Sequence, residues 1–181
     1  KYIKRVYAAI RYSSIAGRAC LFAGWFPPAW ILGTGLLGFA KIMENMELGH
    51  NVMHGQYDWM NDPKFKGTTY EWDIVGTSED WRQTHHTYTN IKGMDDDIGY
   101  GIIRLFPEQR WKKGYLLQPL YSIPFCLLFQ WGVAIQNLEI GKYLKGRMTK
   151  QEFSARWQPM QKKISKQLFK DYVFFPLIAG P

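Results

Sequence analysis

This chain of 181 residues contains two long apolar runs that are separated by a polar segment. The first, at residues 19–40, reads ACLFAGWFPPAWILGTGLLGFA and carries no charge. The second, at residues 115–136, reads YLLQPLYSIPFCLLFQWGVAIQ. Each run is long enough for a membrane-embedded helix, and neither a strand-like alternation nor an internal repeat is visible. The pattern therefore predicts an all-α protein.

Two adjacent prolines interrupt the first run. Because proline lacks the N–H that a helix interior requires, we predict a helix over about 7–25, a turn at 26–28 and a returning helix over about 30–54. Lys and Arg precede the run, so the positive-inside rule places both ends of this hairpin on the cytosolic side. Arg11 and Arg18 must then snorkel or face protein.

Prolines also break the second run, at Pro119 and Pro124. We predict that residues 114–137 are interfacial or re-entrant, with a full span as the alternative. Residues 138–171 are predicted to form basic surface helices. Residues 172–181 begin another apolar segment, and ten residues cannot cross ~30 Å of hydrocarbon. Since the first residue is not Met, we expect a piece of a longer protein.

The formal net charge of +8 is concentrated in one stretch. From Lys142 to Lys170 there are nine Lys/Arg and one acid, Glu152. Such a block favours nucleic acid or anionic lipid, and the apolar runs beside it favour lipid and no nucleic-acid partner. A solvated helix face is the alternative. The two cysteines, Cys20 and Cys126, predict neither a disulfide framework nor a Cys-based zinc site.

The histidines lie in two tight clusters, the first of them in ELGHNVMH. His50 and His54 are four residues apart, so on a helix they share a face and can bind one metal site. Glu47 lies on the same face, either as a hydrogen-bond acceptor for an imidazole or as a solvated residue. Asn51 stands where zinc proteases carry their glutamate base, which disfavours a hydrolase. Two histidines on one turn also cannot ligate opposite faces of a haem.

The second cluster lies in EDWRQTHHTYTN, residues 79–90. His85 and His86 diverge by about 100° on a helix, so both can serve one site if two metals lie side by side. A pair of surface histidines is the alternative. The acids that follow can supplement the ligands, orient the imidazoles or form a solvated loop; they are Asp95, Asp96 and Asp97.

Ligation by histidine without thiolate suits iron, zinc, copper or nickel. A site beside a lipid-facing cavity favours oxidation of an apolar substrate. An alkyl C–H bond offers no handle for acid–base chemistry, so its cleavage requires iron, O₂ and an electron donor.

These stretches resemble the membrane fatty acid desaturase family, specifically the bacterial acyl-CoA and acyl-lipid desaturases. The resemblance covers essentially the whole chain. Its matching stretches are GHNVMHGQYDWMNDP (49–63), EWDIVGTSEDWRQTH (71–85), HTYTNIKGMDDDIGYG (86–101) and KDYVFFPLIAGP (170–181).

The resemblance implies an all-α, integral membrane fold with a cytosolic histidine-rich helical cap. The chain, residues 1–181, would then be a single partial desaturase domain. Its segments would be a transmembrane hairpin at about 7–54, the cap at 55–113, the interfacial or re-entrant segment at 114–137, basic surface helices at 138–171 and the start of a truncated transmembrane helix at 172–181.

The family inserts a cis double bond into a long acyl chain, with a di-iron centre, O₂ and two electrons. The resemblance thus implies an acyl-CoA or acyl-lipid substrate, membrane lipids around the protein, and a ferredoxin, cytochrome b5 or reductase as electron donor. The active site would lie on the cytosolic face. The metal ligands would be His50, His54, His85 and His86, and the acids Glu47, Asp95 and Asp97 would support them. Trp81 and Tyr88 would line the acyl site, and the di-iron centre would need no separate protein acid or base.

The chain departs from the family at the second histidine box, where the family has a histidine, two or three further residues and then a histidine pair. Here Thr84-His85 is followed at once by His86, as if an internal segment were missing. The family's third box is absent. Two irons need about eight protein ligands and the chain has four histidines, so we expect these residues alone to bind iron poorly and to be inactive.

Two other functions stay open. One is a related membrane di-iron lipid hydroxylase, which the same histidine boxes would serve. The other is a non-catalytic membrane protein that binds lipid or metal, and it gains support if the second box is naturally short.

Overall fold

The computed structural model describes residues 1–92, 94–95 and 97–179, and these form helices and turns without a strand. The all-α prediction is confirmed. The α-helices are α1 (Tyr2–Leu21), α2 (Pro27–Ile42), α3 (His50–Met53), α4 (Ser78–Tyr88), α5 (Gln118–Leu127), α6 (Phe129–Asn137), α7 (Ile140–Leu144), α8 (Lys150–Phe169) and α9 (Phe175–Ala179). Short 3₁₀ turns occur at Asp58–Met60, Pro63–Phe65, Gly99–Gly101 and Lys113–Leu117.

The chain divides into two compact units. The first comprises Lys1–Asp73 and Ser165–Pro181, and the second comprises Ile74–Ile164. The first unit carries His50 and His54, and the second carries His85 and His86. The expectation of a single desaturase domain across the chain stays a prediction.

A helical hairpin, α1 and α2, forms most of the first unit. Pro27 and Pro28 occupy the first two positions of α2, where the missing N–H costs no helical hydrogen bond. The two helices approach most closely at Gly17 and Gly33. A Cβ on Gly33 would lie 2.8 Å from the Gly17 carbonyl oxygen, so only glycine permits this separation. The helical hairpin predicted from the paired prolines is therefore present. The predicted turn at 26–28 is wrong, because the prolines open α2 and the turn lies between Leu21 and Pro27.

The returning helix differs from the continuous one predicted over about 30–54. It is α-helical to Ile42, π-helical over Met43–Gly49 and α-helical again in α3. The wider π turn shifts the helical phase just before His50, and such turns are frequent at functional sites. The core beneath this segment is apolar and joins α1 to the chain beyond α2; its buried members are Ile3, Val6, Ile10, Ala40, Leu48, Val52 and Phe65.

An ion-pair cluster around Asp73 links distant parts of the first unit. Its carboxylate accepts hydrogen bonds from Lys41 Nζ at 2.8 Å and from Lys170 Nζ at 2.6 Å. Partial burial alone would raise the pKa of Asp73, but the two lysines outweigh it and lower the pKa to about 2. The cluster thereby fixes the end of α2 against the segment that follows α8.

The second unit packs the segment that leads into α4 against α6 and α8. Val75, Ala134, Leu138 and Met160 form its buried apolar cluster. The helix α8 begins with a capping box, in which the Thr149 N–H donates to Glu152 Oε2 at 2.7 Å and the Glu152 N–H donates to Thr149 Oγ1 at 3.2 Å.

Length and apolarity decide which helices of the described residues could cross a bilayer. None of the single helices there is both long and apolar enough to cross a bilayer. One pair, Lys113–Leu127 with Phe129–Leu144, passes when taken together and is bent by 91°. The predicted membrane placement of the hairpin and of residues 114–137 stays a prediction.

Candidate metal centre

The first histidine pair stands at the two ends of α3. His50 opens this helix and His54 follows it directly, with the His54 N–H donating to the His50 carbonyl at 3.1 Å. Their ring centroids are 4.6 Å apart, with ring planes at 64°. Both rings are half-buried. The helical spacing therefore brings two imidazoles together, as predicted from the sequence.

The chain after His54 turns back against the helix that carries the pair. Gly67 packs so closely that a Cβ there would lie 2.7 Å from the Val52 carbonyl oxygen. Its N–H also donates to Asp58 Oδ1 at 2.6 Å. A side chain at Gly67 would thus displace the backbone that positions His54.

Glu47 has a defined partner in the first helix. The Tyr2 hydroxyl donates to Glu47 Oε1 at 2.8 Å, and this bond is the main cause of a raised pKa for Tyr2. The Glu47 carbonyl accepts from Asn51 Nδ2 at 2.7 Å. The predicted support of an imidazole by Glu47 stays a prediction.

The second cluster is centred on His85, which is buried in α4. Its Nδ1 lies 3.2 Å from Asp95 Oδ1 and 3.3 Å from Asp97 Oδ2. The acids stand ten and twelve residues further along the chain, so a loop returns them to the helix. Two carboxylates thus contact one imidazole nitrogen.

Asp95 is itself fixed by backbone donors. The N–H of Asn90 donates to its Oδ2 at 2.7 Å, and the N–H of Asp97 donates to its Oδ1 at 3.0 Å. Burial alone would raise the pKa of Asp95, but these bonds and the His85 contact outweigh it, and the pKa is lowered. The loop therefore presents an ionised carboxylate to the ring.

Trp81 completes this cluster from the preceding turn of α4. Its ring stacks on that of His85, with centroids 4.6 Å apart and planes at 21°. It meets the His86 ring edge-on, at 4.9 Å between centroids. Its Nε1–H donates to Asp97 Oδ2 at 2.8 Å. Trp81 thus packs both histidines and orients one acid.

The other predicted residues of this segment have simpler positions. The His86 ring centroid is 6.0 Å from that of His85, with the planes at 56°. Tyr88, proposed as an acyl contact, is exposed at the end of α4. Asp96 lies outside the described residues.

The donor set of the second cluster suits a cation. One ligand atom from each of His85, Asp95 and Asp97 can be chosen so that all lie within 4.8 Å of one another. Imidazole and carboxylate together are ligands that iron accepts. In the alternative arrangement, the carboxylates accept a hydrogen bond from Nδ1 and leave Nε2 as the nitrogen to face a metal, as is common at metal-bound histidines.

The structure thus pairs His50 with His54 and groups His85 with His86 and two acids. Convergence of the two groups on one site stays a prediction, since they belong to different units.

Sequence reasoning missed two features. Trp81 stands four residues before His85, so the helical period was a signal for their stacking. The Asp73 cluster gave no local signal, since its lysines are distant in sequence.

Comparison with known proteins adds independent evidence. The chain is 48% identical over 184 residues to proteins named "NADPH-dependent stearoyl-CoA 9-desaturase" in two strains of Mycobacterium tuberculosis, a match to 99% of this chain and 43% of each relative. It is 37% identical over 110 residues to a protein named "sn-1 linoleoyl-lipid 6-desaturase" from Synechocystis, covering 56% of this chain and 30% of the relative.

These matches cover only part of each relative. The chain spans less than half the length of these curated relatives. The region matched to the mycobacterial proteins is 184 residues long, whereas this chain has 181, so it contains positions without a counterpart here. No protein-family model matches the chain, and no solved structure matches it.

Proposed function

Because this chain belongs to the fatty acid desaturase family, we propose that it is part of a membrane di-iron oxygenase that inserts a cis double bond into a long-chain fatty acyl group. The observation that supports this most is the His85 cluster. A buried imidazole with two carboxylates on one nitrogen is an arrangement that orients a metal ligand.

The residues proposed to hold iron are the two histidine pairs, His50 with His54 and His85 with His86. Asp95 and Asp97 would hold His85 in one tautomer and increase its basicity. These donors fit iron in kind, but they number half of the about eight ligands that two irons require. The proposed complete site therefore needs ligands from outside these 181 residues.

Iron and O₂ would together supply an oxidant strong enough for an unactivated alkyl C–H bond. In the overall reaction the acyl chain loses two hydrogen atoms. These two hydrogens, one O₂, two electrons and two protons together form two water molecules, so the reaction balances. The role of this chain would be to fix the imidazoles and to keep carboxylates near the cation.

The relatives' names support a proposal for the substrate and the electron source. One relative is named for stearoyl-CoA and for NADPH dependence, and another for a lipid-bound acyl group. We propose an acyl-CoA substrate, with acyl-lipid as the alternative. We also propose an electron donor of the ferredoxin, cytochrome b5 or reductase class, with membrane lipids around the protein and the active site on its cytosolic face.

A second candidate is a non-catalytic membrane protein that binds lipid or metal. The observation that favours it is that His85 and His86 are adjacent, without the residues that separate the histidines of the family's second box. The chain then has four histidines in all, which is half of the ligands that two irons require.

To test this, a protein that carries this segment at the full length of its relatives is expressed in a host that lacks desaturase activity. The total fatty acids of the host are then analysed by mass spectrometry. A new monounsaturated acid is expected, and it should disappear with His85→Ala. A hydroxylated acid would show the hydroxylase instead. If iron is bound and neither product forms, the non-catalytic candidate is correct.

The 181 residues alone provide the matched comparison. They should hold much less than two irons per chain after purification and show no turnover. Near-stoichiometric di-iron in this chain would contradict the ligand count on which the proposal depends.

A further inference from the structure

A bent pair of helical segments stands out in the second unit. We call Lys113–Leu127 together with Phe129–Leu144 the bent helix pair, which turns by 91° at Leu128. Between residues 114 and 138 the sequence contains no Lys, Arg, Asp or Glu. The chemistry of the proposed metal centre does not use this segment.

The outer side of the pair is apolar and exposed. Leu127, at the bend, has 80% of its surface accessible. Large apolar side chains exposed in such number along one segment indicate an interface, because leaving them in water is unfavourable. The large exposed side chains are Leu116, Leu120, Ile123, Leu127, Leu128 and Ile135.

The inner side of the bend is packed against other side chains, and this packing stabilises the bend. The Tyr100 ring lies 5.5 Å from that of Phe125 and 5.2 Å from that of Phe129. A Cβ on Gly132 would come within 3.1 Å of the Phe125 ring. The Tyr121 hydroxyl also donates to the Ile102 carbonyl at 2.7 Å. These contacts hold the two arms at their angle.

The dimensions fit one leaflet. An α-helix rises about 1.5 Å per residue, so each arm is about 22 Å long and is shorter than the ~30 Å hydrocarbon core. With two arms inclined equally and bent by 91°, the bend lies about 16 Å below the ends. That depth is close to half of the core.

Cations stand at both ends of the pair. Arg110 and Lys112 precede it, Lys113 is its first residue, and Lys145 and Arg147 follow it, all of them exposed. Cations of this kind favour anionic headgroups, while the apolar stretch between them favours acyl chains. Positive charge at both ends also opposes a span, which would carry one end across the bilayer.

We propose that the bent helix pair docks into one leaflet of an anionic bilayer, with its bend among the acyl chains and both basic ends at the same headgroup surface. This decides between the interfacial and spanning alternatives for residues 114–137. It does not depend on iron, so its failure and that of the desaturase function are distinguishable.

Depth is tested with the native cysteine near the bend. Cys20→Ser leaves the exposed Cys126 as the labelling site for an environment-sensitive fluorophore. In vesicles of phosphatidylcholine and phosphatidylglycerol, the emission should shift to the blue and be quenched by lipids brominated along the acyl chain. The control carries Gln151→Cys with Cys20→Ser and Cys126→Ser, and its label on α8 should not be quenched.

Two results would overturn this. Unquenched, blue-shifted emission would mean that protein covers the bend, from a second copy or from another chain segment. Unshifted emission would mean that the bend lies in water. Circular dichroism of each labelled protein checks that the helices are intact.

Sidedness is tested with Lys113→Cys and Lys145→Cys, each in the cysteine-free background. In sealed vesicles, a membrane-impermeant maleimide should label both positions to the same extent from one side. Labelling of one with protection of the other would show a span and contradict the inference. Quenching at Cys126 should also weaken in vesicles of phosphatidylcholine alone, and equal quenching there would contradict the role of the basic ends.

Discussion

His50 and His54 stand four residues apart at the end of a short helix, whereas His85 and His86 are neighbours inside one. The first pair is set by the helical period, and the carboxylate beside it is hydrogen-bonded to Tyr2. The second is set by a loop that returns Asp95 and Asp97 to His85 Nδ1. The comparison teaches that helix geometry alone can bring imidazoles together, while fixing the tautomer of one requires a tertiary contact.

The largest expected difference between the two histidine regions is in the stability lost when a nearby tryptophan is removed. Trp81 is 4% exposed and stacks on His85, so Trp81→Ala should lower the free energy of unfolding by about 3–5 kcal/mol. The matched control near the first pair is Trp59→Ala. Trp59 is 75% exposed, and its loss should change stability by less than about 0.5 kcal/mol. Denaturant titration measures both, and equal losses would contradict the contrast.

The second-largest difference between the two histidine pairs is expected in metal affinity. In a protein that carries this segment at the full length of its relatives, Asp95→Asn removes a carboxylate from His85 Nδ1 and should weaken Co²⁺ or Fe²⁺ binding by about 10–100-fold. Glu47→Gln, beside the first pair, should have a smaller effect because Tyr2 already binds that carboxylate. Isothermal titration calorimetry measures the affinities, with Glu108→Gln as an exposed control. Equal effects of the Asp95 and Glu47 changes would remove the distinction.

Acid sensitivity tests the anchor of the first unit. The folded pKa of Asp73, about 2, is below the unfolded value of about 3.9. Its stabilising contribution is therefore complete above about pH 4 and is lost as the pH falls through about 2. Because 40% of the side chain is exposed, solvent screening reduces the contribution to about 1 kcal/mol. Asp73→Asn should cost that amount at pH 7 and progressively less as the pH falls toward and below 2, by denaturant titration at each pH. A cost that does not change with pH would contradict the ion-pair origin.

The smallest effect is expected from Tyr2→Phe. It removes the hydrogen bond to Glu47 at an exposed position, so stability should change by less than about 0.5 kcal/mol. Thermal unfolding measures this, and metal affinity should be unchanged. A large loss of metal binding would show that Glu47 acts on the first histidine pair through Tyr2.

The sequence predicts local features of this fold well. The paired prolines predict the helical hairpin, and the four-residue spacing predicts that the rings of His50 and His54 meet. Each inference needs only the helical period or the conformational limits of one residue type.

Other features depend on contacts between distant residues. The π turn at Met43–Gly49 is not visible in the apolar pattern, because the uncharged run ends at Ala40, before the turn begins. The Asp73 cluster unites residues that are 32 and 97 positions apart. The position of Trp81 under His85 conforms to the helical period, but its bond to Asp97 requires the loop. Iron, membrane placement and convergence of the two pairs stay predictions.

Iron stoichiometry tests the central claim most directly. In a protein that carries this segment at the full length of its relatives, we predict two irons per chain, and both should be lost with either His54→Ala or His85→Ala. Loss of both would show that the two histidine pairs belong to one site. Retention of one iron after either substitution would show two independent sites and contradict the proposal.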